Sequence, residues 1–419
     1  MAVITGNAKR NILTGTGLAD VIQGLGGDDR LFGLGGADIL RGGNENDLID
    51  GGSGNDSLFG DSGSDTLLGG SGNDKLFGGT WSDTLAGGDG NDILDGGSSN
   101  DTLIVGRGFD SYGGGLGVDT ISFAAAVGIG STIIFDDTGR GRAFVFTAPG
   151  VGSNVGTLAS IEIVIGGAGR DTIAGSNTFA YNQTFIGGGG QDILLGGAGH
   201  DKLYGGADHD TLEGGSGNDI VDGGAGDDYL TGNAGADRLV GGSGFDWIFY
   251  RQSTGVKVDL ANSANNAGAE AVGDTFSGID NVWGTGGNDT LSGDGANNIL
   301  TGGGGSDILT GGAGSDTFQF SAQFSPANPT PVGAGDLITD FTQGVDKIDI
   351  SAMAGPLFVF LNGGNVPFTL AAPEITFGFA VENGQDRTVI RGDINGDAAA
   401  EFEIKISGFI LLTAIDFIL

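Results

Sequence analysis

Aspartate recurs at every ninth residue from Asp20 to Asp119, and that step constrains the chain more than any other feature. The positions are Asp20, Asp29, Asp38, Asp47, Asp56, Asp65, Asp74, Asp83, Asp92, Asp101, Asp110 and Asp119, with Asn11 one step earlier. Two residues after each sits a bulky side chain, from Leu13 and Ile22 through Leu103, Tyr112 and Ile121. Five residues before each sits Gly, except at Val105. The best-formed units read GGSGNDSLF, GGSGNDKLF and GGDGNDILD.

One apolar residue between two variable ones describes a short strand whose centre faces inward. The six residues between strands, G-G-x-G-x-D, read as a turn in which Gly supplies positive φ. Two strand–turn units make a coil of 18 residues, so the chain winds into a flattened parallel helix. Residues 18 apart then stack at roughly the 4.8 Å strand spacing. Asp29, Asp47 and Asp65 fall on one edge, and Asp38, Asp56 and Asp74 on the other. Columns of carboxylates this close repel unless a hard cation sits between successive turns. Carboxylates with main-chain carbonyls are the ligand set of Ca²⁺.

The same register returns twice. A second array carries Asp192, Asp201, Asp210, Asp219, Asp228, Asp237 and Asp246, and a short third one carries Asp289, Asp307 and Asp316. All these aspartates, with those of the first array, are the expected metal ligands. The repeats resemble those of RTX (repeat-in-toxin) proteins, which Gram-negative bacteria secrete. The resemblance implies multiple Ca²⁺ ions and an extracellular location.

The segments between arrays repeat one another. GVDTISFAAA is echoed by GFDWIFYRQS, and LASIEIVIGGAGRDTIAG by FSGIDNVWGTGGNDTLSG. They read as β-rich caps over open roll ends. The expected order is a first roll at 1–122, a cap at 123–166, a second roll at 167–248, a cap at 249–283 and a third roll at 284–318. Residues 319–419 form a C-terminal β domain. There DLITDFTQGVDKIDIS, DINGDAAAEFEIKISG and the terminal LTAIDFIL resemble the C-terminal domain of serralysin-type proteins. That resemblance implies an uncleaved type I export signal at Asp416–Leu419. The fold class is all-β: tandem parallel β-rolls with β-rich capping segments and a C-terminal β domain.

Charge narrows the partners. With 53 acidic and 17 basic residues the net charge is −36, which disfavours nucleic acid and anionic membranes. There is no Cys, hence no disulfide or thiolate site. The N-terminal MAVITGNAKRNIL lacks the apolar core of a secretory signal, and no apolar run reaches membrane-spanning length. The expected partners are calcium ions, the type I secretion apparatus, and an extracellular polysaccharide or cell surface.

Catalysis finds little support. The only histidines are His200 and His209, at the variable fifth turn position, and no HExxH or G-x-S-x-G occurs. The reading is a non-catalytic calcium-binding protein. The alternative is an RTX enzyme or accessory module of protease, lipase or alginate-modifying class. Trp81, at a turn, reads as a lone aromatic packed over its neighbours, with an exposed carbohydrate platform as the alternative. Asp393, Asn395 and Asp397 resemble the start of an EF-hand loop, but the flanking strands favour a hairpin. Finally, the fourth turn position holds Lys9, Glu45, Trp81 and Ser99 on the Asp29–Asp101 edge, against only Leu18 opposite. The Asp38–Asp110 edge is expected to bind Ca²⁺ more fully.

Overall fold

Parallel pairing in steps of 18 residues builds most of the molecule. The computed structural model describes residues 1–108, 110–123, 131–135, 141–145, 154–159, 161–177, 180–251, 254–268, 270–320, 335–353, 359–360, 374–393, 400 and 402–418. The chain divides into two units, Met1–Gly224 and Ala225–Leu419, a division that falls inside the span expected as the second roll.

In the first unit, strands alternate between two parallel sheets. Leu40 pairs with Ile22 and Leu58, and Leu58 with Leu76. In the other sheet Ile49 pairs with Leu31 and Leu67, and Leu67 with Leu85. Each strand contributes one residue to the core, and every one from Ile22 to Ile121 is at most 3% exposed. Burying a Leu or Ile this fully contributes about 1.5–3 kcal/mol. The coil is therefore held by a single file of side chains from each sheet.

The strands are longer than the sequence suggests. Ser57–Ser62 and Thr66–Ser71 have six residues, not three. Pairing runs on through the first three turn positions, with Gly52 opposite Gly70 and Ser53 opposite Ser71. Only positions four to six remain as turn. Close stacking is the reason: a Cβ on Gly70 would strike the Gly52 carbonyl oxygen.

Between the arrays the sheets continue. Ser111–Leu116 pairs in parallel with Asn154–Ala159, and Thr120–Ser122 with Ile163–Gly167. Gly141–Val145 then bridges Asn154–Ala159 to Ser131–Phe135 by antiparallel pairing. Ser131–Phe135 passes the ladder to Thr172–Ala174. These strands lie within the ladder, between coils.

In the second unit one parallel row runs from Tyr229–Ala234 through Trp247–Phe249, Asn281–Trp283, Ile299–Thr301, Thr317–Gln319 and Lys347–Asp349 to Phe417–Ile418. Another runs from Lys257–Asp259 through Thr290–Ser292, Ile308–Thr310 and Asp336–Ile338 to Phe402–Ser407. From there Gln385–Asp393 and Glu374–Glu382 add antiparallel strands. The C-terminal β domain thus grows directly out of the coils. Among the described residues no helix is long and apolar enough to cross a membrane.

Candidate metal centres

The sixth-position aspartates form buried columns on both edges. Those from Asp20 to Asp119 are at most 5% exposed, and those from Asp192 to Asp316 at most 2%. Along both columns one oxygen is held by the main chain. Asp29 N–H donates to Asp47 Oδ1 at 2.7 Å, Asp47 N–H to Asp65 Oδ1 at 2.7 Å and Asp65 N–H to Asp83 Oδ1 at 2.8 Å. On the other edge Asp38 N–H reaches Asp56 Oδ1, and Asp56 N–H reaches Asp74 Oδ1, both at 2.7 Å. The columns are ladders of N–H···carboxylate bonds, so repulsion is relieved in part before any cation is considered.

The second oxygen is different. Oδ2 of Asp29, Asp38, Asp47, Asp56, Asp65, Asp74, Asp83, Asp92, Asp101 and Asp119 is buried with no hydrogen-bond partner, as are those of Asp192, Asp201, Asp246 and Asp307. Main-chain oxygen lies beside it. A Cβ on Gly33 would meet Asp38 Oδ2 and the Gly51 carbonyl oxygen, both at 2.5 Å. A Cβ on Gly51 would meet Asp56 Oδ2 at 2.6 Å and the Gly69 carbonyl at 2.8 Å. An orphan carboxylate oxygen and a carbonyl of the next coil, facing the same spot, fit a hard divalent cation of the Ca²⁺ kind. Among the described residues no three His, Cys, Asp or Glu side chains converge on a metal position. A cation here draws on main-chain carbonyls as well as carboxylates.

Burial acts on the charge. It is the largest cause pushing Asp47, Asp83 and Asp92 up to about 7, and Asp192 and Asp307 up to about 8, with neighbouring carboxylates adding to it. Asp56, Asp65 and Asp101 rise to about 6 for the same first reason. Asp20 moves the other way. Hydrogen bonds, first from the Ala2 N–H and then from the Thr16 hydroxyl, hold its carboxyl below the usual range.

The remaining expected ligands join the ladders. Asp192 N–H donates to Asp210 Oδ1 and Asp201 N–H to Asp219 Oδ1, each at 2.8 Å, and Asp228 N–H to Asp246 Oδ1 at 2.9 Å. Asp289 N–H donates to Asp307 Oδ1 at 2.8 Å. The ladders also recruit residues that the nine-residue count misses. Glu162 accepts from Asp119 N–H, Asp274 from Asp237, Asp280 from Asp246, Asp336 from Asp307 and Asp346 from Asp316. Each has an apolar residue two positions on, respectively Val164, Phe276, Val282, Ile338 and Ile348.

The fifth turn position is less idle than its variability suggests. Asn73 N–H donates to Asn55 Oδ1, and Asn91 N–H to Asn73 Oδ1, both at 2.8 Å. His200 takes the same role, accepting from Asn218 N–H at Nδ1, 2.7 Å away. Glu45, Trp81 and Ser99 have φ of 69°, 80° and 86°, the strained region expected for the fourth position. Leu25, Leu34 and Asp61 share it at the second position. Trp81 is 67% exposed. The Asn395–Asp397 loop lies outside the described residues, while its flanking strands pair antiparallel, Gly392 opposite Phe402.

Comparison with known families agrees with this geometry. The RTX calcium-binding nonapeptide repeat model matches residues 14–49, 50–80, 77–112, 159–177, 178–212 and 213–248. The peptidase M10 serralysin C-terminal model matches 295–419. Among solved structures, the chain is similar to the AlgE6R3 subunit of the mannuronan C5-epimerase of Azotobacter vinelandii. Identity is 24% over 46% of this chain and 77% of that one, with a TM-score of 0.22. It is likewise similar to the AlgE6R2 subunit, at 24% identity over 41% and 90% with a TM-score of 0.27. No curated protein sequence matches.

Proposed function

We propose, on the premise that the chain is an RTX-type calcium-binding repeat protein with a serralysin-type C-terminal segment, that it is secreted, non-catalytic and folded by extracellular Ca²⁺. Export runs through a type I apparatus, and the folded rolls serve attachment at a surface, in a matrix or on a host. The observation that carries this reading is the row of buried Oδ2 atoms without partners.

Leaving a buried polar group unsatisfied costs ~1–3 kcal/mol, more when it is charged. The first array alone has ten such oxygens. Their combined cost, about 10–30 kcal/mol, matches or exceeds the roughly 5–15 kcal/mol that keeps a typical domain folded. Without cation, the columns favour the open chain increasingly as they ionise toward pH ~8. An open chain suits threading through an export channel. Bound beside these oxygens, Ca²⁺ would supply the compensating positive charge. The array aspartates that would hold it are those read from the sequence, excepting any whose carboxyl is already satisfied. Affinities typical of extracellular modules suffice at millimolar calcium, and coupling to folding follows the general behaviour of small metal-dependent domains.

Far-UV circular dichroism of the chelated chain, titrated with Ca²⁺ and separately with Mg²⁺, tests the reading. A cooperative gain of β signal with Ca²⁺ alone is expected. A full β spectrum already present in chelator at neutral pH would mean the rolls stand without metal, and export-then-fold would be abandoned.

A further inference from the structure

Most described ladder turns are of two kinds, distinguished by their second residue; the Asp110 turn is neither, since Gly106 has no positive φ and its N–H donates to the Tyr112 hydroxyl at 3.3 Å. In the open kind that residue has a positive φ, as at Gly52 (95°), Gly70 (103°) and Gly88 (103°), and at Leu34 (74°). The carboxylates of these turns, Asp56, Asp74, Asp92 and Asp38, are among those with an orphan Oδ2. In the closed kind the second residue has no positive φ, and its N–H donates to the carboxyl four residues on. Thr16 N–H reaches Asp20 Oδ2 at 2.7 Å, Gly167 N–H reaches Asp171 Oδ2 at 2.7 Å, Thr285 N–H reaches Asp289 Oδ2 at 2.7 Å and Thr342 N–H reaches Asp346 Oδ2 at 2.6 Å. The hydroxyls of Thr16 and Thr285 bond the same oxygens at 2.7 and 3.1 Å.

Threonine has a physical reason to close a turn. A β-branched residue at positive φ is a genuine outlier, so the peptide stays in the orientation that aims its N–H at the carboxylate. The closed turns also have a pattern of place. Asp20, Asp171 and Asp289 stand at or near the start of the three arrays, and Asp346 follows Asp316, the last of them.

The chain supplies its own substitution experiment. Twice the ladder position holds Asn, at Asn11 and Asn298. Both turns are closed: Asn7 N–H donates to Asn11 Oδ1 at 2.7 Å, and Asp294 N–H to Asn298 Oδ1 at 2.9 Å. A neutral amide oxygen accepts such a bond as a carboxylate does, but it brings no charge to a cation. Asparagine thus stands where the local N–H, rather than an ion, satisfies the ladder residue.

We propose that calcium is confined to the open turns, and that the closed turns of Asp20, Asp171, Asp289 and Asp346 hold none and act as cation-independent end stops. A closed turn already spends Oδ2 on one or two donors. It also presents the positive end of an N–H dipole where a cation would have to sit. The open runs between the stops are then the segments whose folding depends on metal. This rests on the calcium reading above and narrows it residue by residue.

Bound Ca²⁺ per chain, measured by equilibrium dialysis at saturating calcium on the full-length protein, tests the proposal. Asp20→Asn and Asp289→Asn are expected to keep the wild-type count, as Asn11 and Asn298 lead one to expect. Asp56→Asn and Asp74→Asn are each expected to lose at least one ion. Equal losses in both sets, or no loss in the open-turn variants, overturn the proposal while leaving calcium binding intact. A wild-type chain that binds no calcium overturns both. Calcium-anomalous diffraction from the unaltered chain reads the same question without substitutions. Peaks are expected beside Asp56 and Asp74 Oδ2, and a peak beside Asp20 or Asp289 Oδ2 sinks the proposal.

Discussion

Tyr112 donates its hydroxyl to Asp110 Oδ2 at 2.8 Å, filling with a phenol the position that is left bare beside its neighbour Asp92. The ring takes the inward place that Leu or Ile holds in other coils and is 3% exposed. Burial, then the adjacent Asp110 charge, pushes the phenol far above its usual range, so it stays a donor. Tyr250 does the same for Asp274 Oδ2 at 3.1 Å. Tyr112→Phe should therefore cost the metal-free fold ~1–3 kcal/mol by orphaning Asp110. The loss should shrink in saturating Ca²⁺, because the freed oxygen becomes available to the ion. Urea unfolding with and without calcium reads the difference, and an equal loss in both conditions would remove the phenol-for-ion argument.

The raised carboxyls fix an unusual pH response. A group whose folded pKa exceeds its unfolded value stabilises the fold below the unfolded value and loses that effect as pH rises through the folded one. Here the ordinary value is 3.8, and the folded ones reach about 7 at Asp83 and about 8 at Asp307. In chelator the rolls should be more stable at mildly acid pH and weaken steadily toward pH ~8. Saturating Ca²⁺ should reverse the slope, since it binds the deprotonated form and releases protons. Denaturant midpoints at several pH values, with and without calcium, measure this. Metal-free stability that rises through the same window contradicts the burial argument.

The two edges of the first array differ in strain. Among the described residues, Leu25, Glu45, Asp61, Trp81 and Ser99 all carry positive φ on the Asp29–Asp101 edge, against Leu34 on the Asp38–Asp110 edge. Some of this is offset locally: Glu45 Oε2 accepts Gly27 N–H at 2.8 Å, and Asp61 pairs with Arg41 at 2.9 Å. Trp81→Gly should relieve about 1 kcal/mol of left-handed strain. Gly54→Ala, opposite, has φ 134° and a Cβ that would strike the Gly36 carbonyl oxygen. It should cost more than ~3 kcal/mol. Thermal unfolding in calcium ranks the two, and the reverse order would refute the edge asymmetry.

The sequence exposed the ladders because an uninterrupted period is itself the structure: Asp47 lies above Asp29 since 18 residues close one coil. It hid Glu162, Asp274, Asp336 and Asp346 because inserted residues lengthen the step to 43, 37, 29 and 30. The apolar residue two positions later was the surviving signal. The open and closed turns were not legible in the glycines. Gly167 and Gly188 both occupy the second position, yet only Gly188 has a positive φ, 108°. Glycine permits either orientation, so its place at the edge of an array decides. The three-residue strand expected from the turn motif fell short because stacked glycines pair as well as their neighbours do.

Asp416 ties the terminal strand to the last ladder turn. It is 0% exposed. Its Oδ1 accepts Gly344 N–H at 2.9 Å, and its Oδ2 accepts the Thr413 N–H at 2.8 Å and hydroxyl at 2.9 Å. The same Thr342–Lys347 segment carries Asp346, which holds Asp316 N–H at 3.0 Å, and Lys347, whose Nζ donates to the Ile415 carbonyl at 2.6 Å. Docking of Phe417–Ile418 and completion of the Asp316 column therefore share one turn. Asp416→Ala strands buried donors on both sides and should cost about 3 kcal/mol. The Ile350 amide, which donates to the Ile418 carbonyl at 3.0 Å, reports the loss directly. Its hydrogen exchange should accelerate, while the Thr66 amide, bonded to the Asp47 carbonyl at 2.8 Å, should not change. Unchanged protection at Ile350 would show that the strand docks without the carboxylate. With the dependence confirmed, any partner that reads Phe417–Ile418 as an extended strand must do so before Asp416 is buried, because afterwards these residues are paired with Ile348 and Asp349.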